Sequence, residues 1–237
     1  MTIQEFSHGF DTLLNSYSKK LLFGDTASAQ EINLDEYEKS TFLTEAQEQL
    51  VLSYYNGKNT NLESFEQTEE IRRYLSSLIK TAKISESTTS DVLLNKDSQV
   101  FELPSDLWFI TYEAAELGHS ADKCVSEKEV EVVPVTQDDL HRTLENPFKG
   151  TGYRRALRLD IADNKVELIS KYNINKYIVR YISKINPIIL TDLSEGLSIE
   201  GETQANTCEL HESLHRPILE LAVRLALQSK GIQLQNN

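Results

Sequence analysis

Apolar residues recur at helical spacing through the first third of the chain. Between residues 3 and 17 they fall on one face, which predicts an amphipathic helix. Residues 34–57 predict a second helix. Asp35 is its candidate N-cap, with Glu38 three residues later to complete a capping box, and Gly57 marks its end.

A third apolar stripe predicts a helix from about Ser64 to Lys83. Its buried face would consist of residues spaced three or four apart: Ile71, Tyr74, Leu75, Leu78 and Ile79. The polar stretch that follows, residues 84–91, indicates a linker. Beyond it the periodicity of the apolar residues changes.

The middle of the chain carries short, extended apolar runs that predict strands. These runs lie at residues 100–104, 107–114 and 130–135. Residues 154–170 read as two alternating arms around the turn ADNK, which predicts a hairpin. Residues 175–184 alternate in the same way, so we expect them to join the same sheet.

Two further helices are predicted. Residues 136–148 suit a helical turn that begins at a Thr136 cap and closes at Asn146-Pro147. The last segment, from Leu214 to Ser229, has a wide apolar stripe, and Gly231 follows its end.

Helices at both ends and strands in the middle predict an α+β fold. We expect the N- and C-terminal helices to form an α-helical bundle that carries a β-rich insertion, either sandwich-like or a curved sheet. The predicted domains are a helical domain of residues 1–84 and 208–237, and a β-rich insertion of residues 85–207.

The charge and composition restrict the function. The 237 residues include 37 acids and 24 bases, for a net charge of −13. Such a surface repels phosphate, so tight wrapping of DNA or RNA is not expected. No apolar run reaches the roughly 20 residues of a membrane helix, and the first residues do not resemble a secretory signal. We therefore expect a cytosolic chain in which Cys124 and Cys208 are reduced thiols.

Residues 211–215 read HESLH, which matches the H-E-x-x-H pattern of zinc proteases. In such an enzyme His211 and His215 would bind zinc, and Glu212 would activate a water molecule. However, Pro217 places both histidines in or before the first helical turn. A third ligand is also missing downstream, where Glu220 is the only acid and no histidine follows.

The same stretch leaves a structural zinc site open as an alternative. Its ligands would be Cys208, His211 and His215. A fourth ligand would come from Cys124, His119 or His141. The interpretation that we favour is ordinary helix-start chemistry, with Glu212 or Ser213 near the positive end of the helix dipole. We therefore predict no catalytic residue, no metal and no cofactor.

Other candidate sites have simpler interpretations. No G-x-S-x-G motif and no Gly-rich phosphate loop is present, and only nine glycines occur. Arg154, Arg155 and Arg158 could bind a phosphate or an acidic partner, but we favour an exposed hairpin edge protected by charge. Trp108 and Phe109 are predicted core anchors.

Three parts of the chain together resemble structural proteins of crAss-like and related Bacteroidetes phages. Residues 34–55 resemble their N-terminal signature, and residues 208–227 resemble their closing helix. The central β-segment of these proteins resembles residues 146–150, 156–170 and 177–193. More remotely, the order of parts is similar to podovirus head-to-tail adaptors of the tail tubular protein A type.

The resemblance implies a non-enzymatic ring protein of the virion. In that family twelve copies typically sit below the portal or further down the neck, and DNA passes through the lumen. Matching residues would belong to the helix that packs subunit against subunit: Leu43, Thr44, Ala46 and Gln47. Others would open the β-domain: Leu103, Pro104 and Asp106. His215, Arg216 and Pro217 would start the final helix.

We therefore expect a ring-forming head-to-tail connector that extends the DNA channel between portal and tail. Its partners would be further copies of itself, the portal protein and adjacent neck or tail proteins, with no membrane and no sequence-specific DNA binding. It would be assembled in the host cytoplasm and located in the neck or tail region of the virion. The alternatives are a zinc-dependent hydrolase built on HESLH and an acidic partner-binding module.

Overall fold

A computed structural model describes residues 1–22, 33–58, 65, 68–85, 98–118, 128–161, 164–194 and 196–231. The helices are α1 (Ile3–Leu22), α2 (Glu36–Tyr55), α3 (Glu69–Tyr74), α4 (Leu140–Glu145) and α5 (Glu212–Ser229). The strands are β1 (Ile79–Ile84), β2 (Ser98–Glu102), β3 (Leu107–Leu117), β4 (Glu129–Pro134), β5 (Arg155–Asp160), β6 (Lys165–Ile169) and β7 (Ile174–Ser183). The combination confirms an α+β fold.

The chain divides into two compact units. The helical unit contains Met1–Ser77 and Ile185–Asn237, and the sheet unit contains Leu78–Lys184. Residues 185–207 thus lie with the helices, and β1 lies with the sheet. The division into the two domains given above stays a prediction.

The ends of α2 follow the predicted capping signals. The Asp35 carboxylate accepts a hydrogen bond from the Glu38 N–H at 2.7 Å, and the Glu38 carboxylate accepts one from the Asp35 N–H at 3.2 Å. Past the C-cap Asn56, Gly57 has a φ of +69°, which favours glycine. The predicted start and end of this helix are therefore confirmed.

The third predicted helix is wrong over its second half. Helix α3 ends at Tyr74, a short 3₁₀ turn follows at Ser76–Leu78, and Ile79–Ile84 form a strand. This strand pairs antiparallel with β7, with Ile79 opposite Ile182. Pairing with a distant strand has overridden the local helical spacing.

Helix α5 packs against both α1 and α2 within the helical unit. Its contact with α1 is close at Gly9, where a Cβ atom would lie 2.8 Å from Leu219 Cδ2. The buried Lys39 of α2 also reaches α1, with its ammonium 2.9 Å from the Asp11 carboxylate. Burial lowers the pKa of Lys39, but its hydrogen bonds to Asp11 and Glu36 outweigh burial, and the net pKa is raised. The bundle expected for these helices stays a prediction.

The sheet unit contains a mixed seven-stranded sheet in the order β1-β7-β3-β4-β5-β6-β2. All neighbours are antiparallel except β4 and β5, which are parallel. The predicted hairpin is confirmed by β5 and β6. Asn164 in its turn has a φ of +55°, a conformation that asparagine tolerates.

The sheet curls so that its last strand approaches its second. Phe101 on β2 and Tyr177 on β7 lie with ring centroids 5.7 Å apart, although five places separate the two strands in the sheet order. The Gln99 side chain accepts from the Ile174 N–H at 2.6 Å and donates to its carbonyl at 3.3 Å. The Gln99 amide therefore links β2 to β7, although the backbones of these two strands do not pair with each other in the sheet order. The hydrophobic core of the unit lies inside the curled sheet.

Two predictions in this unit need correction. Helix α4 has Asp139 as its N-cap, while the Thr136 carbonyl accepts from the Asp139 N–H. The predicted end at Asn146, which precedes a proline, is confirmed. Trp108 and Phe109 are not core anchors, because both are only half-buried and stack on each other at 5.0 Å.

Among the helices described here, none is both long enough and apolar enough to cross a membrane.

Candidate functional site

The two histidines of HESLH occupy different surroundings. His211 is exposed and is the N-cap of α5, where its Nδ1 accepts from the Ser213 N–H at 3.3 Å. His215 is buried, and its ring lies 5.5 Å from that of Phe6. Its Nε2 lies 3.0 Å from the Leu210 carbonyl oxygen, which can only accept a hydrogen bond.

The same contacts fix the protonation state of His215. Since Nε2 donates to the carbonyl, Nδ1 is the acceptor in the neutral ring, and it lies 2.7 Å from the amino nitrogen of Met1. Burial lowers the pKa of His215, and the nearby amino group adds to that effect. His215 is therefore a neutral, buried side chain near the start of α5 that packs against Phe6 and lies within hydrogen-bonding distance of Leu210 and Met1.

The other proposed zinc ligands do not complete a site. Cys208 is a free, buried thiol whose pKa burial raises to about 11. His141 lies on α4 in the sheet unit, and His119 and Cys124 lie outside the described residues. Within the described ranges, no three His, Cys, Asp or Glu side chains are grouped so that they could hold a metal ion.

Helix α2 presents a row of buried polar side chains to the extended segment 186–190. The row consists of Ser40, Thr44 and Gln47, spaced so that all three share one helix face. The Ser40 hydroxyl accepts from the Leu190 N–H at 3.0 Å and donates to the carbonyl of Glu36 at 2.6 Å.

The other two side chains of the row continue this pairing. Thr44 Oγ1 accepts from the Ile188 N–H at 3.1 Å and approaches the Ile188 carbonyl at 3.4 Å. The Gln47 amide donates to the Asn186 carbonyl at 3.0 Å. The helix thus supplies the partners that a neighbouring strand would supply to alternate residues of the segment.

This burial bears on one expectation from the family resemblance, that α2 packs subunit against subunit. The four matching residues of that helix are all buried within the helical unit: Leu43, Thr44, Ala46 and Gln47. These four side chains face the interior of one chain, so a contact between copies through α2 would use its other face, and that role of the helix stays a prediction. His215, Arg216 and Pro217 do lie in the early part of α5, as expected.

The other expected signature, Leu103, Pro104 and Asp106, connects β2 to β3. The Asp106 carboxylate accepts from Lys80 at 2.7 Å and from the Tyr181 hydroxyl at 3.0 Å. The hydrogen bond from Lys80 is the largest cause that lowers the pKa of Asp106, and the hydrogen bond from Tyr181 lowers it further. Burial of the Tyr181 hydroxyl and its hydrogen bond to Asp106 raise the pKa of Tyr181 to about 12. Asp106 thus links β1 and β7 to the start of β3.

The three arginines near residue 155 do not form one cluster. Arg158 is only 11% exposed and pairs at 2.6 Å with Glu113, which is 6% exposed. Arg155 lies 3.8 Å from the Glu131 carboxylate, and Arg154 is exposed. Strand β5 lies between β4 and β6, so the prediction of an exposed, charge-protected edge is wrong.

The Arg158–Glu113 pair is part of a buried network across three strands. The Tyr177 hydroxyl on β7 donates to the Glu113 carboxylate on β3. Burial raises the pKa of Tyr177, and the negative charge of Glu113 raises it further. Because every partner is a strand residue of the same sheet, the network stabilises the curl and offers no open chemistry.

The connection between α4 and β5 carries the most exposed aromatic side chain of the described residues. Phe148 is 89% exposed, and Tyr153 is 51% exposed. Lys128 and Arg154 lie over the Tyr153 ring, at 5.4 and 5.1 Å from its centroid. The sequence analysis missed this surface, although one signal was readable: residues 146–155 contain three cations, two aromatics and no acid.

Comparison with known proteins identifies related chains. A family model described as phage tail ring protein 3/4 matches residues 1–237. The chain is 55% identical over 231 residues to a protein named Ring protein 3 from Bacteroides phage crAss001, covering 97% of this chain and 96% of the relative. It is also 31% identical over 236 residues to Ring protein 4/5 of the same phage, covering 95% and 92%.

Proposed function

Since this chain belongs to the phage tail ring protein 3/4 family and is a structural component of a virion, we propose that it is a ring-forming head-to-tail connector. In this proposal twelve copies, the number implied by the family resemblance, close into a ring that extends the DNA channel between portal and tail. The ring contacts the portal or the adjacent neck and tail proteins, and DNA passes through its lumen.

The observation that carries the proposal is the extent of the family match. The model matches residues 1–237, and the similarity to two proteins named as ring proteins extends over nearly the whole chain. Both the helical unit and the sheet unit are therefore covered. A local motif such as HESLH offers no comparable support for a hydrolase.

The charge of the chain is compatible with a channel for DNA. A net charge of −13 per copy repels phosphate, whereas a strongly basic wall would bind DNA along its length. DNA that passes beside such a surface is not retained. This supports a conduit and not a DNA-packaging or DNA-wrapping role.

A closed ring also needs two different surfaces on each copy. Identical subunits that meet head to tail use one patch on one copy and another patch on the next, and the ring closes when the rotation permits. Such patches lie on exposed surface, and the face of α2 formed by Ser40, Thr44 and Gln47 is not one of them.

The test is electron cryo-microscopy of the purified chain with and without its portal, together with an image reconstruction of virions. We expect a closed ring coaxial with the portal channel. Density for the chain at a site away from the DNA axis, or a chain that stays monomeric with the portal, would contradict the proposal. Native mass spectrometry of the same sample gives the copy number.

A further inference from the structure

Two exposed loops of this chain have opposite charge. The basic loop, residues 146–155, carries three cations and no acid. The acidic loop, residues 191–207, lies within the stretch 185–215, which contains no lysine or arginine. The acids of that stretch are Asp192, Glu195, Glu200, Glu202, Glu209 and Glu212.

Hydrogen bonds hold the basic loop in one conformation. The Asn146 side-chain oxygen accepts from the N–H groups of Phe148 and Lys149 at 2.9 and 3.3 Å. The Gly150 N–H donates to the Asn146 carbonyl at 2.8 Å. Arg155 donates to the Phe148 carbonyl at 3.2 Å. A rigid loop that displays an exposed phenyl ring loses little conformational entropy when the ring is buried by a partner.

Two cations of this region, Lys128 and Arg154, lie over the ring of Tyr153, and Lys149 follows Phe148 in the chain. In the described part of the chain no ion pair is formed by Lys128, Lys149 or Arg154. Lys149 and Arg154 are exposed. Exposed rings near cations that form no ion pair within the described residues fit a surface that offers an apolar contact and carboxylates.

The acidic loop carries both an exposed apolar side chain and exposed carboxylates. Leu197 is 42% exposed and is the one large apolar side chain of the loop exposed to that degree among its described residues. Ile199 and Glu202 pair across a tight turn in which Glu200 and Gly201 have φ values of +52° and +90°. Two consecutive positive φ values are typical of a two-residue hairpin turn, and Glu200 and Glu202 are exposed on it.

We propose that the basic loop of one copy docks on the acidic loop of the next copy in the ring. Phe148 packs against Leu197, while Lys149 and Arg154 face Glu200 and Glu202. This inference rests on the proposed ring and specifies the contact that closes it.

A second copy fits the basic loop better than DNA does. Each copy of a closed ring must carry two different, complementary patches, and these two loops are complementary in charge, with an exposed apolar side chain on each. DNA would meet a chain of net charge −13, and three cations provide little attraction against that field.

Charge reversal tests the contact. One variant combines Lys149→Glu with Arg154→Glu, a second combines Glu200→Lys with Glu202→Lys, and a third carries all four substitutions. Each reversal alone places like charges opposite each other, so we expect the concentration for half-assembly to rise about tenfold or more. The fourfold variant restores opposite charges and should assemble close to wild type.

Assembly is measured by sedimentation velocity and native mass spectrometry over a concentration series, with the portal added in a parallel series. Lys171→Glu with Lys184→Glu is the control for net charge, because both lysines are exposed and neither lies in the basic loop. Circular dichroism checks that every variant is folded.

The apolar part of the contact is tested by separate variants, each with a matched control. Phe148→Ala should weaken assembly about tenfold or more, whereas Tyr112→Ala, at a ring 54% exposed on β3, should not. Gly150→Ala should also weaken assembly, since a Cβ there would lie 2.9 Å from the Asn146 carbonyl oxygen. Gly152→Ala, where a Cβ meets nothing within 4 Å, is its control.

The outcomes separate this inference from the proposed function. If rings form equally well after either reversal, or if the fourfold variant fails to assemble, the proposed contact between the loops is wrong. The proposal that the chain forms a ring is not affected by either outcome. A wild-type chain that never assembles, even with the portal, overturns both. Binding of a duplex oligonucleotide that Lys149→Glu with Arg154→Glu abolishes, while ring formation is unchanged, assigns the basic loop to DNA.

Discussion

Replacing Thr44 by valine should destabilise the helical unit, because it removes the hydroxyl that α2 supplies to segment 186–190. Valine has nearly the same shape as threonine, so the packing around residue 44 is kept. The change leaves the buried Ile188 N–H without the acceptor that now lies 3.1 Å away. It also removes the group 3.4 Å from the Ile188 carbonyl.

The expected size follows from two opposing effects. A buried donor left without a partner costs about 1–3 kcal/mol, and the added methyl group regains up to about 0.8 kcal/mol through burial. Taking the middle of the first range, about 2 kcal/mol, the net loss in unfolding free energy should be about 1–2 kcal/mol. For a chain of this length that corresponds to a fall of roughly 2–8 °C in Tm.

The matched control is Thr41→Val on the same helix. The Thr41 hydroxyl donates to the Tyr37 carbonyl at 3.0 Å, but residue 41 is exposed and, among the described residues, forms no side-chain hydrogen bond to segment 186–190. Urea unfolding at a concentration below that of ring assembly measures the stability, because assembly would raise it. Hydrogen exchange should also speed up at the Ile188 amide in Thr44→Val only. Equal stabilities and equal exchange in the two variants would refute the role assigned to the α2 row.

Three further predictions address the sheet unit and the start of α5. Arg158→Met removes the ion-pair partner of the buried Glu113 carboxylate and should lower the free energy of unfolding in urea by about 3–5 kcal/mol. Arg142→Met, at an exposed ion pair, should lower it by less than about 1 kcal/mol. Equal losses in the two variants would contradict the buried network. Burial lowers the pKa of His215 below its ordinary 6.5, so the unfolded chain binds the proton more readily. The contribution of His215 is then fully present above pH 6.5 and is lost as pH falls from 6.5 through the lower folded pKa. The fall in stability between about pH 7.5 and about pH 5.5 should shrink in His215→Gln and not in the exposed control His211→Gln. Native mass spectra with added zinc should show no stoichiometric adduct, and an adduct that His211→Ala abolishes would restore the hydrolase hypothesis.

The elements that could be predicted from sequence are those set by neighbouring residues. The capping box of α2 involves Asp35 and Glu38, three positions apart, and its end depends on Gly57. The β5–β6 hairpin depends on a turn in which Asn164 adopts a positive φ. In each case the interacting groups lie within a few residues, so the local pattern contains the information.

The strand β1 could not be predicted in this way. Its residues continue a helical spacing, but the backbone of Ile79 pairs with that of Ile182, more than one hundred positions along the chain. The role of the α2 row was hidden for the same reason, since Thr44 and Ile188 are also distant in sequence. The spacing of Ser40, Thr44 and Gln47 indicates a shared face, but only the fold shows that this face is buried.

The sequence analysis did not find the candidate contact surface, because a motif and a surface give different kinds of signal. HESLH matches a pattern, yet His211 caps a helix and His215 packs against Phe6. The basic loop matches no catalytic or metal-binding motif, and its relevance depends on the exposure of Phe148. Exposure depends on the whole fold and is not encoded in residue spacing.

The anchors and the loops should respond differently to mutation. The acidic loop begins directly after Leu190, which is held by Ser40, and the basic loop leads into β5, which is fixed by Arg158. A change in either anchor removes a buried hydrogen bond or ion pair, so it should lower unfolding stability and, through the displaced loop, assembly as well. A change at exposed Phe148 removes no contact within the chain core and should lower assembly alone. Loss of assembly at full stability is therefore the property that separates a contact surface between copies from the structure that supports it.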